Sequence, residues 1–224
     1  LRAHMNKVYG LMSVAMLVTA GVAWAVGTTD ALLAIFIDPV TLRPNIMGWV
    51  VMFAPLAMVF AFGALIGRMS AAAAQVFFYA FAAVMGLSIA WIFSVFSLGS
   101  IFQPFLATSA GFAALSLYGY VTKRDLGPLG AFLMIGLIGL IVASVANIFI
   151  GSQGLAFAIP LIGVLIFAGL TAYDTQRIKN DYIQHAQAMD SEWLGKSAIM
   201  GALNLYLDFI NLFMFLLQFM GNRE

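Results

Sequence analysis

Charge is so sparse along this chain that the charged positions alone divide it into segments. Between Lys7 and Asp30 lie 22 residues without Asp, Glu, Lys or Arg, and between Arg43 and Arg68 lie 24. The stretch from Arg68 to Lys123 encloses 54 such residues, and Asp125 to Asp174 encloses 48. A bilayer's hydrocarbon is crossed by about 20 mostly apolar residues in an α-helix. The first two segments therefore predict one spanning helix each, and the two longer ones predict two each. Ser97–Pro104 and Gly151–Gly154 supply the turn residues that divide them. After Lys196 come 26 residues interrupted only by Asp208, room for one more. The expectation is a single all-α domain over 1–224 with seven spans: 8–28, 46–67, 71–95, 104–122, 128–150, 155–176 and 197–220. The apolar runs are continuous and not alternating, which excludes a transmembrane barrel. Loops are short except 28–45 and 177–196. The first span is too long for a cleavable signal peptide and lacks a clear cleavage site. Leu1 in place of Met leads us to expect that native residues precede it.

Lys and Arg set the orientation. With seven spans, the side holding the N-terminus carries Arg2, Lys7, Arg68, Lys123, Arg124, Arg177, Lys179 and Lys196, and the other carries Arg43 and Arg223. Eight against two predicts a cell-membrane protein with a cytoplasmic N-terminus and an external C-terminus. A six-span arrangement with a re-entrant last helix is the alternative.

Composition sharpens this picture. Of 224 residues, 63% are hydrophobic and 8% charged, against about 25% charged in a soluble domain, and mean hydropathy is +1.02. So few charges cannot cover a globular surface in water. A net charge of +1 offers no basic stripe for nucleic acid. Zero cysteines exclude thiolate catalysis and cysteine metal sites. Gly63 and Gly67 have the spacing of a close helix contact. His185 with Asp181, Asp190 and Glu192 reads as a solvated loop cluster.

A charge at membrane depth costs about 2.5–3.5 kcal/mol on insertion scales and marks function by default. Asp208 lies well inside the last span. Asn204 at i−4 and Asn211 at i+3 share its face, with Gly201, Phe215 and Gln218 roughly extending the stripe. That face should point at protein or water, so the last helix is expected to be surrounded by the others. The stripe is either hydrogen-bonded glue or part of a functional site. Asp174 sits near the end of span six in Tyr173-Asp174-Thr175-Gln176-Arg177, a run dense in hydrogen-bonding groups, where it is either functional or simply solvated beside Arg177. Taken alone, Arg68 is an ordinary positive-inside residue.

At Tyr118–Leu126, Tyr173–Gln176 and Ala202–Phe213 the sequence resembles the transmembrane Bax inhibitor motif family, specifically its bacterial branch; the opening Arg2–Tyr9 and the span layout agree. The resemblance implies six helices wrapped around a central C-terminal one, and a pH-sensitive calcium leak. It also implies a pair of aspartates on helices six and seven as pH sensor, matched here by Asp174 and Asp208, and an arginine latch on helix two, matched by Arg68. Tyr173, Gln176, Asn204 and Asn211 would be supporting polar groups. Some bacterial members are linked instead to inhibition of a membrane-bound AAA protease, and eukaryotic ones to suppression of cell death.

No enzyme and no resident cofactor is expected; lipid, protons and permeating calcium are the expected partners, and a membrane protease the alternative one. Calcium is a hard ion that takes oxygen ligands. The two carboxylates, with amide oxygens of Asn204 and Asn211 close by, would offer it a weak, transient site from which it can leave. Two carboxylates in low dielectric should share a proton and titrate as a unit. An intramembrane aspartyl protease is a further reading, since Tyr173-Asp174 echoes half of its signature, but Asp208 follows Tyr-Leu rather than Gly-x-Gly. A retinal protein is excluded because the last span has no lysine. Counted from Lys179 and Lys196 at 1.5 Å per residue, Asp174 lies about 7 Å deep and Asp208 about 18 Å. They meet only if one helix is offset, bent or begins outside the hydrocarbon.

Overall fold

The structure is a computed structural model that describes residues 1–221; Arg223, counted in the charge bias, lies outside them. The described elements are α1 (Arg2–Gly27), α2 (Asp30–Leu33), α3 (Ile46–Leu65), α4 (Ala71–Ile89), α5 (Ile92–Val95), α6 (Leu98–Val121), α7 (Gly127–Ile150), α8 (Gln153–His185) and α9 (Ser191–Met220). Among the described residues, seven helices are long and apolar enough to cross a membrane, with α4 and α5 together making one of them. An isolated bridge, Ile37 to Pro44, is the strand-like pairing found there.

The helices outrun the spans read from charge. Helix α1 begins at Arg2, α8 continues to His185, and α9 begins at Ser191, so 177–196 is mostly helix around a turn at 186–190. Charges mark where a helix leaves the hydrocarbon, not where its hydrogen bonding stops. Asp181 and His185 accordingly sit on α8, with the His185 ring 3.0 Å from the Asp181 carbonyl. Helix α6 likewise starts at Leu98 and runs through Pro104, a breaker that membrane helices tolerate; one turn later Thr108 Oγ1 bonds back to the Pro104 carbonyl at 2.7 Å.

At Gly151–Ser152 the division is as expected. Gly151 takes φ 65°, ψ 27° and caps α7 by donating to the Asn147 carbonyl at 2.8 Å; this left-handed geometry suits glycine. The Ser152 hydroxyl then accepts from Leu155 N at 3.3 Å and starts α8.

The described residues divide into two compact units, one of residues 98–186 with 204–221, the other of 2–97 with 187–203. In the second, α4 packs against α1 and α3. Thr19 Oγ1 donates to the Ala82 carbonyl at 2.8 Å, and Gly86 lets the α1 backbone approach at Thr19. The Glu192 carboxylate accepts from Ala71 N at the start of α4. A Cβ at Gly63 or Gly67 would meet open space. The close contact expected from their spacing is absent there.

In the first unit, α8 presents three faces to three helices. Ala172, Thr175 and Lys179 meet α6 at Gly119, Ser116 and Tyr120. Ile166, Gly169 and Tyr173 meet α7 at Gly136, Leu133 and Gly130. Gly163 and Phe167 meet Phe215 of α9, the Phe167 and Phe215 rings lying 5.9 Å apart. Of the seven long helices, α9 has the largest buried share of its apolar window, 61% against 11–39%.

Candidate functional site

The α8–α9 register decides where the aspartates go. Asp174 lies seven residues after Phe167, and Asp208 seven before Phe215, so two antiparallel helices that join the phenylalanines also join the aspartates. The two carboxyl groups meet within hydrogen-bonding reach. Both residues are buried, Asp174 at 7% exposure and Asp208 at 4%. Helix α8 runs on to His185 and α9 starts at Ser191, so the two helices are offset along each other in a way that depth counted from Lys179 and Lys196 does not capture.

Ionised carboxylates only accept hydrogen bonds, so a bond between two of them requires one proton. Asp208 Oδ2 is buried with no hydrogen-bond partner among the described residues. The site is thus a buried acid pair with unspent acceptor capacity.

A cation stands against one side of it. Arg177 Nη2 lies 3.1 Å from Asp174 Oδ1, one turn along α8, and its side chain is 42% exposed. The guanidinium also lies over the Tyr173 ring, 5.6 Å from its centroid. That ring fills the space left by Gly130, where any Cβ would collide with it. In the sequence Arg177 stands out only as a positive-inside residue beside which Asp174 could be solvated. Its signal was present in the spacing: Asp174 at i−3 and Tyr173 at i−4 share one helix face with it. Arg68, the latch implied by the resemblance, is exposed in the turn after α3 and belongs to the other unit.

The remaining candidates divide between clamp and lining. Gln176 spends both ends of its amide on the loop from α6 to α7. Its Nε2 donates to the Arg124 carbonyl at 2.7 Å, and its Oε1 accepts from Leu126 N at 2.8 Å. Lys179 Nζ donates to the Tyr120 carbonyl at 2.7 Å in the last turn of α6. Thr175 Oγ1 lies 3.2 Å from the Ser116 hydroxyl while donating to its own helix at Thr171 O, 2.8 Å. On α9, Asn204 and Asn211 are half-buried; the Asn211 amide donates to the Leu207 carbonyl at 2.8 Å. Gln218, at the end of the stripe, is exposed.

Beyond Asp208 the environment turns apolar within one residue. Phe209 meets Phe112 edge-on at 5.4 Å and Phe105 at 6.0 Å, and Phe213 meets Phe105 at 6.3 Å. The acid pair therefore lies between a polar end, made by Arg177, Gln176 and Lys179, and an aromatic block.

Comparison with known proteins agrees over the full length. The chain is 42% identical over 224 residues to inner membrane protein YbhL of Escherichia coli K12, covering 100% of this chain and 93% of that one. It is 43% identical over 226 residues to protein RP147 of Rickettsia prowazekii, covering 100% and 91%, and 37% identical over 224 residues to YrjE of Lactococcus lactis, covering 99% and 91%. A family model described as "Inhibitor of apoptosis-promoting Bax1" matches residues 1–224. Together with the seven long apolar helices, these matches show that the chain belongs to the Bax inhibitor motif family of membrane proteins.

Proposed function

We propose that this protein is a multi-pass inner-membrane protein that passes calcium passively, and that the Asp174–Asp208 pair makes the leak respond to pH. The observation that carries this reading is the buried contact of the two carboxyls. Burial of acid groups in an apolar chain is costly, and neither a packing seam nor a cap needs two of them in contact. The name of the Escherichia coli relative supports the membrane assigned. The eight-to-two distribution of Lys and Arg supports a cytoplasmic N-terminus.

Protonation of the pair has two opposing consequences. It frees the arginine held by the carboxylates, which favours opening, and it removes the negative charge that draws in a cation. The expected result is a pH-dependent flux whose sign these residues do not dictate.

Calcium flux in proteoliposomes, followed from about pH 6 to 8, tests this; the two coupled carboxyls should act as a unit. Asp174→Asn and Asp208→Asn should each flatten the pH response, and the double variant should abolish it. A double variant that leaks with the wild-type pH profile removes the paired-aspartate sensor. Wild-type vesicles that pass no calcium remove the leak itself.

A further inference from the structure

We propose that Arg177 is the resident counter-cation of the aspartate pair, the group an incoming cation has to displace. This rests on the reading of the pair as part of an ion pathway. The charge balance is simple. Two carboxyls sharing one proton carry one negative charge, and the guanidinium 3.1 Å from Asp174 Oδ1 cancels it. With Arg177 in place, the pair offers little attraction to a second cation. The charged groups acting on the carboxyls are each other and Arg177. From α6 the neighbouring group is the neutral Ser116 hydroxyl on Thr175, and α7 contributes Gly130 beneath Tyr173.

The three charged residues differ in freedom. Asp174 and Asp208 are buried and held by the helix register, whereas the Arg177 side chain is 42% exposed. Its anchors are one carboxylate oxygen and the face of Tyr173. A long, partly exposed guanidinium can move into water at small cost. The carboxyls cannot follow it. Displacing Arg177 therefore exposes negative charge without moving a helix, and any cation that binds the pair competes with Arg177.

Two measurements test this. The first is a thermal-unfolding cycle in detergent without calcium, using wild type, Arg177→Gln, Asp174→Asn and the double variant. Arg177→Gln should lower the midpoint, Arg177→Lys should restore part of the loss, and Arg177→Gln should change nothing in the Asp174→Asn background. Equal shifts in both backgrounds overturn the proposal. The second measures calcium flux against calcium concentration. Removing a partly exposed ion pair should lower the half-saturating concentration about 1.4- to 5-fold in Arg177→Gln, and leave it unchanged when Asp174 is also Asn. If Arg177→Gln does not fold, Tyr173→Leu removes the ring under the guanidinium and should shift the half-saturation in the same direction. An unchanged half-saturation in a leaking protein overturns the counter-cation while leaving the leak standing. A wild type that does not leak removes the leak, and the unfolding cycle still decides the ion pair.

Discussion

Replacing Gln176 by Met tests the clamp that holds the site's polar end. The two side chains have similar length and volume, so the change removes hydrogen bonds with little cavity. Gln176 is 6% exposed and uses both amide atoms on one loop, at 2.7 Å to the Arg124 carbonyl and 2.8 Å from Leu126 N. The Arg124 carbonyl lies at a more open edge and can turn to water, losing about 1 kcal/mol. The Leu126 N–H is buried, opens α7, and has no cap from its own side chain; orphaned there, it costs about 1–3 kcal/mol. The expected loss is about 2–4 kcal/mol, read by equilibrium unfolding in mild detergent. Amide exchange should localise it, with Leu126 and its neighbours losing protection before the middle of α8. A loss below about 0.5 kcal/mol, within the range of an ordinary surface change, with Leu126 still protected, would refute the assignment of Gln176 as the clamp.

The remaining predictions concern packing, loop and orientation. Gly119→Val should prevent close approach of α6 to the Ala172 backbone and cost at least as much as other overpacking changes, about 1–3 kcal/mol, whereas Gly63→Val, which faces open space, should be nearly silent; equal losses on thermal unfolding would count against the close-approach argument. Asp38 accepts from Thr41 N at 3.1 Å and Val40 N at 2.8 Å, bonds that hold its carboxyl below the ordinary carboxylate range. Because its folded value is depressed, its contribution is present above the unfolded value and lost as pH falls through the folded one; carboxyl NMR should show the low midpoint, and Asp38→Asn should remove the acid-dependent loosening of the Val40 and Thr41 amides. The chain has no cysteine, so single substitutions report topology cleanly: a cysteine at Arg43 should react with an impermeant thiol reagent in intact cells and one at Lys123 only after lysis, and the reverse pattern would invert the orientation.

Seven spans were legible because charge in this chain is scarce enough to act as punctuation. Helix ends were not legible from the same signal. Arg2, Lys7, Lys179 and Lys196 all lie inside helices, since a helix continues into water wherever its backbone bonds remain satisfied. Asp208 was legible as an expensive intramembrane acid, and Asp174 as its possible partner through the resemblance, but their contact was obscured by counting depth from lysines. Their register was written in the aromatic residues instead, since Phe167 and Phe215 stand seven residues from each aspartate and pack together. Glycine spacing misled for a related reason. Among the described residues Gly63 and Gly67 form a recognisable spacing and touch nothing close, whereas Gly119 and Gly130 form no such spaced pair and carry the tight contacts to α8. What a missing side chain admits depends on which neighbour faces it.

The three-sided packing of α8 leaves one charged residue of the polar cluster, Arg177, with conformational freedom. Ala172 is pressed on Gly119, and Thr175 is tied to Ser116. Gln176 and Lys179 are bonded to backbone carbonyls of α6 and the loop after it. Tyr173 is wedged at Gly130, and Phe167 is stacked on Phe215. Rotating α8 to part the aspartates would break all of these together, which packed interiors resist. A proton or a cation arriving at Asp174 can therefore be answered most cheaply by a side chain. Among the groups touching that carboxylate, Arg177 alone combines charge, length and partial exposure. If the pair responds to a proton or a cation as proposed, the same rigidity that brings the two acids together would concentrate that response on the arginine beside them.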